Sequence, residues 1–139
     1  MKAFKPVEES DVLYSGAKSL SIDPSGDLVL TGSDSGIAGV YSVSKSAPVQ
    51  ELQTGPGTTT GAIWAGPRAV VSTSKGTVKV FNNDSEIATF SGHAGKVAAL
   101  AVHPSGDILA SVGSDKSYIL YDLTTLTQAI QIYTDSGKS

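Results

Sequence analysis

The sequence predicts an all-β chain of three four-stranded antiparallel units, and three observations lead there. Short runs rich in Val, Ile and Tyr are bounded by Gly, Pro, Asp and Ser, the pattern of strands rather than helices. The turn Pro24-Ser25-Gly26-Asp27 returns as Pro104-Ser105-Gly106-Asp107, eighty residues on. Between them, Gly39-Val40-Tyr41 is answered by Lys79-Val80-Phe81 and again by Ile119-Leu120-Tyr121, forty residues apart each time. A single forty-residue period accounts for both repeats.

The first unit, 16–55, predicts strands near 18–22, 28–31, 37–42 and 49–52. Its turns follow from residue chemistry: proline fixes φ, glycine frees it, and aspartate offers a side-chain acceptor. The second unit, 56–92, predicts strands near 60–64, 69–73, 77–81 and 87–90. There Ala65-Gly66-Pro67-Arg68 makes a shorter turn in place of Pro-Ser-Gly-Asp. The third unit, 93–134, predicts strands near 97–102, 108–112, 118–123 and 129–133. Ahead of the repeats, Val12-Leu13-Tyr14 is the one candidate strand, and 134–139 reads as a polar stub where a fourth unit would begin.

Four strands per forty-residue unit is the signature of propeller blades. Closed propellers need about four to eight blades, so three form an open arc, less than half of an expected seven-bladed circle. Two blade faces are then left uncovered. A closed sandwich of about twelve strands would hold the same elements but leaves the period unexplained.

Composition narrows the function classes. Of 139 residues, 40% are hydrophobic and 17% charged, and the net charge is -3. The ten Lys and Arg are scattered, so no basic patch points to direct nucleic-acid or membrane binding. The absence of cysteine removes disulfides and thiolate metal sites. His103, beside Pro104, has no second ligand at a regular spacing, so neither a metal nor a cofactor is expected. The start, MKAFKPVEESD, lacks an apolar h-region and no run approaches the length of a membrane span, which reads as a soluble intracellular protein.

Gly92-His93 opens the third unit and Tyr121-Asp122 closes its third strand. These dipeptides resemble the landmarks of the WD-repeat family, with tyrosine in the tryptophan position. Tyr41-Ser42 and Phe81-Asn82 are weaker versions at the same place. The resemblance implies a buried hydrogen-bonded network of His93, Ser111, Asp115 and Tyr121. Ser, His and Asp are also the residue types of a hydrolase triad, so a hydrolase using Ser111, His93 and Asp115 is the enzyme alternative. Against it, no Gly-x-Ser-x-Gly elbow is present and Ser111 sits mid-strand between apolar neighbours.

Trp64, the only tryptophan, ends an innermost strand. It is a candidate partner anchor or a wedge between blades. Lys18 and Lys96, with Asp115, flank similar loops; they are candidate partner contacts or solvated turn charges.

The runs LSIDPSGDLVLTGSDSGIAGVYSVSK, AIWAGPRAVVSTSKGTVKVF and HPSGDILASVGSDKSYILYDLT are more specific than a generic WD repeat. They are similar to the first three blades of the propeller in the pre-mRNA-processing factor nineteen family, fungal type. That resemblance implies a nuclear, spliceosome-associated U-box ubiquitin ligase acting in splicing and DNA repair. Its propeller recognises protein partners, its coiled coil builds a homotetramer, and its further blades complete the ring. Neither a U-box pattern nor an apolar heptad occurs in this sequence, so no ligase chemistry is expected of the chain itself. A WD-repeat scaffold from another intracellular pathway is the alternative.

Overall fold

The structure, a computed structural model, describes residues 19–33, 36–83 and 85–133. The proposed strand at Val12-Leu13-Tyr14, Lys18 and the stub 134–139 lie outside the described residues. Twelve strands and no helix occur among those described.

The first sheet holds β1 (Ser19–Ile22), β2 (Leu28–Gly32), β3 (Ile37–Ser42) and β4 (Ala47–Gln53). The second holds β5 (Thr59–Ala65), β6 (Arg68–Thr73), β7 (Val78–Asn82) and β8 (Ser85–Phe90). The third holds β9 (Val97–Val102), β10 (Ile108–Gly113), β11 (Ser117–Asp122) and β12 (Thr127–Tyr133). Each sheet is an antiparallel meander in sequence order. Most strands extend a residue or two beyond the runs read from sequence, because pairing carries the ladder into flanking polar residues such as Arg68 and Thr127.

The period is written into the backbone. The register slips by one residue at Val40/Tyr41, at Val80/Phe81 and at Leu120/Tyr121, the same bulge in every sheet. Gly26, Gly66 and Gly106 take φ of 82°, 61° and 80° in the turn after each first strand. That left-handed region costs an L-residue about 1–2 kcal/mol and glycine almost nothing. Forty-residue spacing thus places like residues in like conformations.

Contacts between sheets are concentrated at their first strands, with β1 against β5 and β5 against β9. The three sheets therefore fan out as three blades of a partial propeller. One core fills the space between the first and second: Leu30, Val40 and Leu52 meet Trp64, Val71 and Phe81. A second core lies between the second and third: Val70, Val78 and Val80 meet Leu109, Ile119 and Tyr121. Burying each of the larger side chains stabilises the fold by about 1.5–3 kcal/mol. The Phe90 and Tyr121 rings add a tilted contact at 4.6 Å across the second core.

Candidate functional site

Two features of the third sheet stand out: a polar cluster buried on one face and an apolar surface open on the other. The cluster starts at His93, just before β9. A side chain at Gly113 would strike the His93 ring, so a glycine here lets the histidine approach β10. Its Nε2 lies 2.7 Å from Ser111 Oγ, which lies 2.8 Å from Tyr121 Oη. Its Nδ1 lies 3.2 Å from Asp115 Oδ1. A carboxylate only accepts, so Nδ1 donates to Asp115, Nε2 accepts from Ser111, and Ser111 accepts from Tyr121.

Asp115 is the hub of the β10–β11 turn. It accepts from the Ala94 amide at 3.0 Å and from the Ser117 hydroxyl at 2.8 Å. Desolvation pushes its carboxyl up, but the Ala94 amide, the Ser117 hydroxyl and His93 together outweigh that and hold it at about 2. Burial pushes the Tyr121 hydroxyl above its ordinary value, against the hydrogen bond to Ser111, and the charge of Asp115 adds to the rise. The geometry brings His93, Ser111, Asp115 and Tyr121 into one connected chain of hydrogen bonds.

Serine, histidine and aspartate stand here in the order of a hydrolase triad, yet Ser111 is 0% exposed. Val97, Leu109 and Ile119 are buried in the same core. A nucleophile sealed in this way has no space for a substrate carbonyl or for oxyanion donors beside it. What the arrangement does chemically is satisfy buried polar atoms while tying the β10–β11 turn to the segment before β9.

Two members of the cluster were not read from sequence. Ser117 is buried with its hydroxyl between Asp115 and His93, and Gln131 Nε2 donates to Ser117 Oγ and to the Gly92 carbonyl, each at 3.2 Å. The period held a clue to the first: Thr77, forty residues earlier, makes a 2.6 Å hydroxyl pair with Thr73 in the corresponding turn. Gln131 had no such signal, because its role depends on the register of β12.

Trp64 is 9% exposed and packs between the first two sheets. Its Nε1 donates to the Ser21 carbonyl at 3.2 Å and its amide donates to Ser21 Oγ at 3.3 Å. Most of the ring is thereby committed to the blade interface; its edge reaches a groove lined also by Asp27, Ser42, Lys45, Pro67 and Asn83. Lys96 is exposed, and its carbonyl accepts from the Ser114 amide at 2.9 Å. Arg68 ties the second sheet to the third, donating to the Gly106 carbonyl at 3.1 Å beside Asp107 at 3.7 Å. No group of His, Asp and Glu suited to a metal ion occurs among the described residues. No helix there is long and apolar enough to cross a membrane.

The opposite face of the third sheet carries Ala110, Val112, Tyr118, Leu120, Ile130 and Ile132, brought onto one side by the pairing of β10, β11 and β12. Val112 is 45% exposed and Ile130 47%. Apolar patches of this kind mark interaction surfaces.

Comparison with known proteins agrees with this architecture. Residues 84–122 match the WD domain, G-beta repeat. The chain is also similar to a nuclear distribution protein, PAC1, of Meyerozyma guilliermondii, with 39% identity over 67 residues. That alignment covers 46% of this chain and 13% of the relative. A WD40 repeat is therefore present, and it supports a protein-interaction scaffold as the general role.

Proposed function

We propose that this chain is the partner-recognition region of a spliceosome-associated U-box ubiquitin ligase of the pre-mRNA-processing factor nineteen type, acting in nuclear splicing and DNA repair. The observation that carries the reading is the set of specific runs, above all HPSGDILASVGSDKSYILYDLT, which includes the third blade's turns and its aromatic landmark. On this reading the blades are 16–55, 56–92 and 93–134, and the partners are proteins of the splicing complex. The U-box and the tetramer-forming coiled coil belong to other parts of the family's architecture. The mechanism is display: rigid meanders hold loops at fixed positions, and recognition follows from loop chemistry rather than bond making. Lys18, Lys96 and the edge of Trp64 are the proposed partner contacts.

Purifying the tagged endogenous protein and identifying its companions by mass spectrometry tests this. Splicing proteins should co-purify, and substituting Lys96→Glu should weaken their recovery. A companion set without splicing proteins would overturn the reading. A second reading, a WD-repeat scaffold of another intracellular pathway, is favoured by the likeness to the nuclear distribution protein. The same companions separate the two.

A further inference from the structure

The two junctions between neighbouring blades are built from matched positions but closed differently. At the second, the Arg68 guanidinium reaches across to the Gly106 carbonyl at 3.1 Å and lies 3.7 Å from the Asp107 carboxylate. The turns meet there as well: a side chain at Gly106 would come within 3.2 Å of the Gly66 amide nitrogen. At the first junction, Leu28 holds the position of Arg68, since Leu28 pairs with Ser42 as Arg68 pairs with Asn82. Leu28 packs down onto the core instead of reaching across, and a side chain at Gly66 would meet nothing. The first junction is left with a groove of about 260 Å³. Leu28, Pro67 and the edge of Trp64 give it apolar walls, and Asp27 supplies a carboxylate.

That carboxylate is fixed and charged. The Ser44 amide donates to it at 2.7 Å and the Ser42 hydroxyl at 2.9 Å, and together they hold its carboxyl below the usual carboxylate range. Each oxygen keeps a lone pair for a further donor. Lys45, exposed at the rim, contributes least to that lowering. A guanidinium is planar, weakly hydrated and forked, so it pairs with a carboxylate while lying against apolar and aromatic surface. We propose that the groove between the first two blades binds an arginine side chain of a protein partner, whose guanidinium closes that junction as Arg68 closes the second. Arg68 is the one arginine in this sequence and is committed elsewhere, so the guanidinium comes from outside these 139 residues. The groove lies between two neighbouring blades and owes nothing to either end of the arc. The inference adds a ligand class to the partner-recognition role proposed above and rests on that role, though not on the splicing assignment.

Trp64 is the only tryptophan, so its indole N–H resonance reports on the groove. Titrated into the 139-residue chain, a Gly-Arg-Gly peptide with blocked ends should shift that resonance saturably at millimolar concentration. Replacing the arginine with citrulline, which keeps the shape without the charge, should weaken binding about tenfold or more and leaves the protein unaltered. Asp27→Asn should weaken it likewise, whereas Lys45→Gln, which removes a competing cation, should strengthen it. Leu28→Arg, which imports the second junction's closure, should abolish the shift. A flat titration of the unaltered chain would overturn the proposal. So would an equal response to a blocked Gly-Glu-Gly peptide, or loss of binding in Lys45→Gln, since either would make the groove an anion site. The peptides are assayed on the purified chain, so their failure leaves the co-purified companions, and the splicing reading they test, unaffected.

Discussion

The second and third sheets share a repeat and a topology but not a neighbourhood. In β6, Ala69 and Val71 pack toward the first sheet while Val70 and Ser72 turn toward the third, and all four are buried. In β10, Leu109 and Ser111 are buried but Ile108 and Val112 are 45% exposed. Both strands are about equally apolar. A blade's sequence encodes a neighbour on each side whether or not that neighbour is present, so equal hydrophobicity gives unequal stabilisation.

The largest effect should come from placing one charge at matched positions. Val80 and Leu120 are forty residues apart and occupy the same register, but Val80 is fully buried and Leu120 only partly. Val80→Asp should cost about 4 kcal/mol or more, because the carboxylate is buried without a partner. Leu120→Asp should cost about 1 kcal/mol or less in urea unfolding at dilute concentration. Equal costs would mean that the third sheet's open face is covered within the single chain.

The next contrast is polar. The second sheet carries Val71 and Phe81 where the third carries Ser111 and Tyr121. Ser111→Ala should lose about 1–3 kcal/mol in urea unfolding, since it strands both His93 Nε2 and the Tyr121 hydroxyl. The double change Ser111→Val with Tyr121→Phe, which imports the second sheet's pair, should cost less than the sum of the two single changes. Additive losses would show that the three groups do not act as a network.

Acid should separate the sheets as well. The Asp115 carboxyl lies at about 2 in the fold against an ordinary 3.8, so its contribution is complete above pH 4 and is lost as pH falls from about 4 to about 2. That contribution is on the order of 2 kcal/mol. Asp115→Asn should lower stability at neutral pH and flatten this acid limb in pH-dependent unfolding; an unchanged limb would place its origin in other carboxylates.

The smallest effect concerns a turn. Gly36 and Gly76 take φ of 80° and 86°, and Lys116, forty residues after Gly76, takes 65°. Relief of left-handed strain should outweigh glycine's added chain entropy slightly, so Lys116→Gly should gain roughly 0.5 kcal/mol. Thermal melting would show it as a small rise, and a fall would mean that the lysine side chain contributes more than its backbone costs.

Local chemistry was enough to locate the twelve strands and the turns between them, because Pro-Ser-Gly-Asp and Gly-Ser-Asp-Lys carry their conformational preferences with them. The forty-residue spacing likewise identified residues 41, 81 and 121 as one structural position, and the shared bulge beside each is its backbone expression. Only the tertiary structure decided that Trp64 is a wedge against Ser21, that Arg68 reaches Gly106, and that Ser117 and Gln131 join His93. Those contacts arise from the packing and register of strands distant in sequence, which a period along the chain does not specify.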